Sequence, residues 1–125
     1  MSTPQQVFEQ LTAGIGSDDW TNLHLLYAED ASVEIPFMMP EPVRLTGRSQ
    51  IRDHFARLAG RISLRAEDVR VHETADPSVI VAEWNYDVRG VKLPNIQVLR
   101  VRDGLIEETR DYHHHAAIAK LLSGV

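Results

Sequence analysis

The sequence predicts an α+β fold, with helices packed on one face of an antiparallel sheet, and three observations carry that prediction. Apolar residues recur at helical spacing through the first half of the chain. The second half is a succession of long segments with strand-like alternation. Asp103-Gly104 separates two of these segments, a strong hairpin signal. Helices first and a meander of strands after them is the order in which an α+β domain segregates its layers. At 125 residues, residues 1–125 are expected to form one domain around one core.

Thr3-Pro4-Gln5-Gln6 reads as a helix start. Thr3 can cap, Pro4 suits the first helical position, and Gln6 can complete a capping box. Val7, Phe8, Leu11 and Ile15 form the apolar stripe, and Gly14 and Gly16 end the helix. Ser17-Asp18-Asp19 is expected to open a second helix that buries Trp20, Leu23, Leu26 and Tyr27. Ala31 to Phe37 reads as a strand, and the prolines of Phe37-Met38-Met39-Pro40-Glu41-Pro42 make an irregular apolar loop. That loop could serve as a lid or a dimer contact, or simply be an exposed loop. A third helix is expected from Ser49 to Leu58, with Ile51, Phe55 and Leu58 inward. Strands follow at Ile62 to Glu73, Val79 to Val88, Val91 to Arg102 and Leu105 to His113, and a short helix at Ala116 to Leu122 closes the chain. Asp76-Pro77 marks the turn before the second of these strands.

Composition narrows the function classes. The formal charge is −5 and no basic stripe is present, which argues against a nucleic-acid partner. Without cysteine there can be no disulfide, thiolate catalyst or cysteine-based zinc site. The start Met1-Ser2-Thr3-Pro4 is not a signal peptide, and no apolar stretch is of membrane-spanning length. A cytoplasmic protein with no membrane association is the expectation.

The stretch Tyr27-Ala28-Glu29-Asp30-Ala31-Ser32-Val33-Glu34-Ile35-Pro36-Phe37, then Leu45-Thr46-Gly47-Arg48-Ser49-Gln50-Ile51, then Asp103-Gly104-Leu105-Ile106 and Arg110-Asp111-Tyr112, resembles in order and spacing the SnoaL-like, ketosteroid-isomerase-like branch of the NTF2-like superfamily. The resemblance implies a cone-shaped barrel. Its curved antiparallel sheet would carry three N-terminal helices on the concave face and a short C-terminal helix. It also implies a homodimer formed through the sheet and a deep pocket, but no single reaction, because this fold hosts isomerases, cyclases, hydrolases and plain binding modules.

The resemblance also places catalytic positions. The ketosteroid isomerase general base falls at Ile35, which cannot move a proton. The tyrosine of its oxyanion hole falls near Leu11, and its second oxyanion donor at Gln97, which keeps a donor but no acid. Of the Asp-Arg-Asp set of limonene-epoxide-hydrolase-like members only the last is present, as Asp111; the others fall near Trp84 and Tyr86. Asp76-Pro77 with Glu83, and Asn95, resemble phenazine-biosynthesis members, whose catalytic Glu is replaced by Pro94.

Strand parity gives an independent reading of the pocket. Thr109, Asp111 and His113 share one face, as do Asn95, Gln97, Leu99 and Val101, and as do Ala82, Trp84 and Tyr86. If those faces line the pocket, its apolar wall is Trp84, Tyr86, Leu99, Ile35, Phe37 and Leu11, and its polar groups are Asn95, Gln97, Asp111, His113 and Tyr86, with Thr109 beside them. Asp111 is the candidate acid/base, His113 its partner, and Tyr86 with Gln97 the groups that orient or stabilise an oxygen. The plain alternative is an Asp111 that hydrogen-bonds His113, Tyr86 or a main-chain amide and merely holds the strand end. His113-His114-His115 lacks the spacing of a helical two-histidine site, so no metal and no cofactor are expected. His24, His54 and His72 are expected on element surfaces, and Glu34 and Glu83 on the face turned away from the pocket. Two functions fit: a cofactor-free acid/base enzyme of isomerase, cyclase or hydrolase type acting on a small hydrophobic, polyketide-like molecule, or a non-catalytic ligand-binding or dimerising module.

Overall fold

The computed structural model describes residues 1–123. The elements run α1 (Pro4–Gly16), a 3-10 turn (Leu23–Leu26), β1 (Tyr27–Ile35), β2 (Val43–Thr46), α2 (Arg48–Leu58), β3 (Arg65–Glu73), β4 (Val79–Val88), β5 (Val91–Arg102), β6 (Leu105–His113) and α3 (His115–Ser123). One curved, unclosed sheet takes the strands in the order β2-β1-β6-β5-β4-β3. An α+β architecture is therefore present, but as an open sheet rather than a barrel.

The capping box forms as the sequence requires. Gln6 N donates to Thr3 Oγ1 at 3.2 Å, and Thr3 N donates to Gln6 Oε1 at 2.9 Å. The face of α1 carrying Val7, Phe8, Leu11 and Ile15 is buried. Phe8 seats edge-on against Trp84 of β4 at 5.1 Å between ring centroids, which fixes the helix to the concave side of the sheet.

The expected second helix does not form. Trp20, Leu23 and Tyr27 are buried as anticipated, yet only one 3-10 turn separates α1 from β1. The residues that would have opened that helix instead close α1: Asp18 N and Asp19 N donate to the Ile15 and Gly14 carbonyls, with Asp18 at φ 59°. Tyr27 is already in β1, so the intervening chain is too short for an α-helix that must offset the cost of its own nucleation. One α-helix thus stands at the N-terminus instead of three, and α2 comes only after two strands. β2 was not foreseen.

The third helix and the last three strands lie where the sequence put them. Gly47 caps α2 at φ 90°, a conformation that favours glycine, and its N–H donates to the Ala31 carbonyl at 2.8 Å. Asp103-Gly104 and Arg89-Gly90 both have positive φ at both positions and form two-residue hairpin loops of the type that matches strand twist. They lock β4, β5 and β6 into register, pairing Gln97 with Asp111 and Asn95 with His113.

The sheet is not wholly antiparallel. β1 runs parallel to β6, pairing Val33 with Thr109. No short connection joins these strands; most of the chain lies between them. Among the described residues, no helix is long and apolar enough to cross a membrane.

Candidate functional site

A cavity of about 360 Å3 lies between the concave side of the sheet and α2, with α1 and α3 contributing at its edges. Each wall follows from the elements already described. Strand parity turns Gln97 of β5, Asp111 and His113 of β6, Tyr86 of β4, and Val33, Ile35 and Tyr27 of β1 inward. The helical spacing of Ile51, His54, Phe55 and Leu58 turns one face of α2 onto them. Leu11 and Ile15 close the side formed by α1, and Met38 and Met39 of the proline-rich loop reach one edge. The volume suits a small organic molecule.

Of the residues named from sequence, Asp111, His113, Tyr86, Gln97, Ile35 and Leu11 line this cavity. Five others do not. Trp84 is buried under Phe8 of α1, so the helix occupies the space a ligand would need. Leu99 and Thr109 pair across β5 and β6, one step toward the hairpin from Gln97 and Asp111, and are fully buried in the core. Asn95 is buried too, its Nδ2 donating to the Leu93 carbonyl at 3.0 Å. Phe37 is 58% exposed and meets Tyr112 edge-on, because the prolines that follow carry the loop outward. Parity was right about the face at Trp84, Leu99, Asn95 and Thr109; it cannot say where along the face a helix lies.

The polar centre is the pair Gln97–Asp111. Gln97 Nε2 donates to Asp111 Oδ1 at 2.7 Å. Neither His113, Tyr86 nor a main-chain amide holds the carboxylate among the described residues, so the strand-end alternative does not describe its contacts. No Lys or Arg pairs with it among the described residues. Burial pushes the Asp111 carboxyl up from 3.8 to about 6, against a downward pull led by the Gln97 hydrogen bond, with smaller ones from His54, His115 and the Thr109 hydroxyl.

The surrounding groups are held neutral. Burial pushes His113 down to about 4 and His115 to about 4, and it also lowers His54, where the negative field of Asp111 opposes it. Burial and the neighbouring Asp111 raise Tyr86 and Tyr27, keeping both phenols protonated as donors. The His113 and His115 rings stack at 5.6 Å, while His114 points away and its Nδ1 accepts from Ala117 N at the start of α3. Gln97 Oε1, His113 Nε2 and His115 Nε2 are buried without a hydrogen-bond partner. Among the described residues, no group of three or more His, Asp or Glu side chains is arranged to hold a metal ion.

His54 was expected on a surface and instead lines the cavity. The signal was present: it falls three residues after Ile51 and four before Leu58, on the buried stripe of α2. Tyr27 was read as core of a helix and is a cavity phenol at the start of β1. His24 was also placed on a surface, yet its Nδ1 is buried without a partner. Glu83 lies on the outer face, where it pairs with the exposed His72 at 2.6 Å.

The comparisons agree with this fold. The model of the SnoaL-like domain matches residues 8–109. This chain belongs to the SnoaL-like family. Within that family it is 34% identical over 107 residues to an uncharacterised PhzA/B-like protein of Pseudomonas aeruginosa, covering 80% of this chain and 76% of the relative. A Bacillus subtilis protein provisionally named an isomerase superposes with a TM-score of 0.85 at 25% identity, over 97% of this chain and 92% of that one. A Xanthomonas campestris protein provisionally named a polyketide cyclase superposes at 0.76 with 17% identity, over 95% and 96% of the two chains, a likeness of fold.

Proposed function

We propose that this SnoaL-like protein is a cofactor-free acid/base enzyme whose cavity takes a small hydrophobic molecule and whose Asp111 moves the proton. One observation carries the reading: a carboxyl group enclosed in a largely apolar cavity, with no Lys or Arg paired to it among the described residues and a pKa raised to about 6. A carboxylate so placed is poised to exchange protons near neutral pH. Gln97 fixes its rotamer by the 2.7 Å hydrogen bond. Tyr86 and Tyr27 stay protonated beside it and can donate to a substrate oxygen that gains charge. His113, held neutral on the same strand, supplies a second proton-transfer site. The names of the Bacillus subtilis and Xanthomonas campestris neighbours are in keeping with isomerase or cyclase chemistry.

A generic C–H acid tests the reading without the natural substrate. A nitrobenzisoxazole loses its ring C–H proton to a base as its N–O bond breaks, giving a coloured nitrophenolate. The protein should open this ring with a rate that rises with pH through about 6, and Asp111→Asn should abolish the acceleration. Equal rates for the two proteins would remove Asp111 as the base.

The second reading is a non-catalytic module that binds a ligand and dimerises through the sheet. Its support is Ile96, which is 42% exposed on the outer face of β5 opposite Tyr112 of β6.

A further inference from the structure

Two acceptors meet at the polar centre of the cavity. Gln97 must turn its NH2 toward the Asp111 carboxylate to make the 2.7 Å hydrogen bond, so its carbonyl oxygen is directed elsewhere. That oxygen is buried without a partner, on a side chain only 4% exposed that lines the cavity. Asp111 takes the Gln97 hydrogen bond where a carboxylate has room for about four. A buried acceptor left unmade costs about 1–3 kcal/mol, so a ligand that satisfies it binds more tightly. Among the described residues, the only Lys or Arg on the lining is Arg61, which is exposed at the rim, so neither side-chain type answers the carboxylate within. The rings of Trp20, Tyr27, Phe55 and Tyr86 line the same space, and aromatic faces attract cations.

We propose that the substrate of this cavity carries a primary amine, bound as its ammonium between the Asp111 carboxylate and the Gln97 carbonyl oxygen, with its apolar body against Trp20, Tyr27 and Phe55. The proposal rests on the reading of the cavity as the substrate site and names the chemical class that the site takes. An ammonium has three N–H donors, enough to satisfy both acceptors at once, and its charge is the counterion that Asp111 lacks. A carboxylate ligand meets the opposite: it faces the Asp111 charge and an amide oxygen that cannot donate.

Four matched probes test this: benzylammonium, benzyltrimethylammonium, benzyl alcohol and benzoate. Each is titrated into the intact protein at pH 7.5, with the Gln97 side-chain amide followed by NMR to report occupancy of the cavity. The expected result is that benzylammonium binds about tenfold or more tighter than benzyl alcohol, that benzoate is weakest, and that the trimethylated cation loses most of the advantage because it has no N–H. Asp111→Asn, which keeps the Gln97 amide as the reporter, should erase the preference for the cation. Equal binding of benzylammonium and benzyl alcohol overturns the amine proposal and leaves the cavity reading intact. Equal binding of the two cations overturns it as well, since the acceptor pair would then be irrelevant. If no probe moves the Gln97 resonance, the cavity reading and the proposal fall together.

Discussion

Replacing Asp111 with asparagine should make the folded protein more stable at neutral pH, and the gain should itself depend on pH. The carboxyl has a folded pKa of about 6 against 3.8 unfolded. The folded state therefore binds the proton more tightly, and the ionised form is the one that burial disfavours. Below about pH 4 both states are protonated and Asp111 costs nothing. As pH rises from about 4 to about 6 the unfolded state ionises first, and stability is lost across that window; above about 6 the loss is constant. At about 1.4 kcal/mol per pH unit the full effect is up to about 3 kcal/mol. The amide introduced by Asp111→Asn keeps an oxygen that can accept from Gln97 Nε2, so the 2.7 Å contact survives the substitution. Urea unfolding of both proteins at a series of pH values gives the assay. The stability difference should grow by up to about 3 kcal/mol between pH 4 and pH 6.5 and then level off. A difference that stays flat across this range would show that the Asp111 carboxyl is solvated or paired, and would refute the argument from burial.

Three further outcomes follow from the same contacts. His113 has a folded pKa of about 4 against 6.5, so its contribution is complete above pH 6.5 and is lost as pH falls through 4; His113→Phe should remove up to about 3 kcal/mol of acid sensitivity in urea titrations between pH 7 and pH 4. Gln97→Leu removes the hydrogen bond that holds the Asp111 pKa down, and carbon-13 NMR should show the Asp111 midpoint climbing above about 6 by roughly one unit or more. Phe8→Ala empties the contact between α1 and Trp84, and chemical denaturation should register a loss of about 3–5 kcal/mol.

Legibility of the fold in the sequence followed the range of the interactions involved. The bounds of β4, β5 and β6 could be read directly, because Arg89-Gly90 and Asp103-Gly104 are local turns that set the register of everything beside them. That register carried Gln97 and Asp111 to the same face, so the polar centre was readable too. The parallel pairing of β1 with β6 was not, since nothing near Val33 or Thr109 announces a partner so far along the chain. The burial of Trp20, Leu23 and Tyr27 was legible but not their conformation, because a capped helix end and a strand start compete for the same few residues. Trp84 and Leu99 show the matching limit at the site: a strand's inward face is shared by core and cavity, and where one gives way to the other is decided by the seat of α1.

The most direct measurement of the central claim is a carbon-13 NMR titration of the Asp111 carboxyl in the free protein. A midpoint near 6, absent from the spectrum of Asp111→Asn, is the result that an enclosed and unpaired acid requires. A midpoint at or below the ordinary 3.8 would contradict it and leave the cavity without its acid/base.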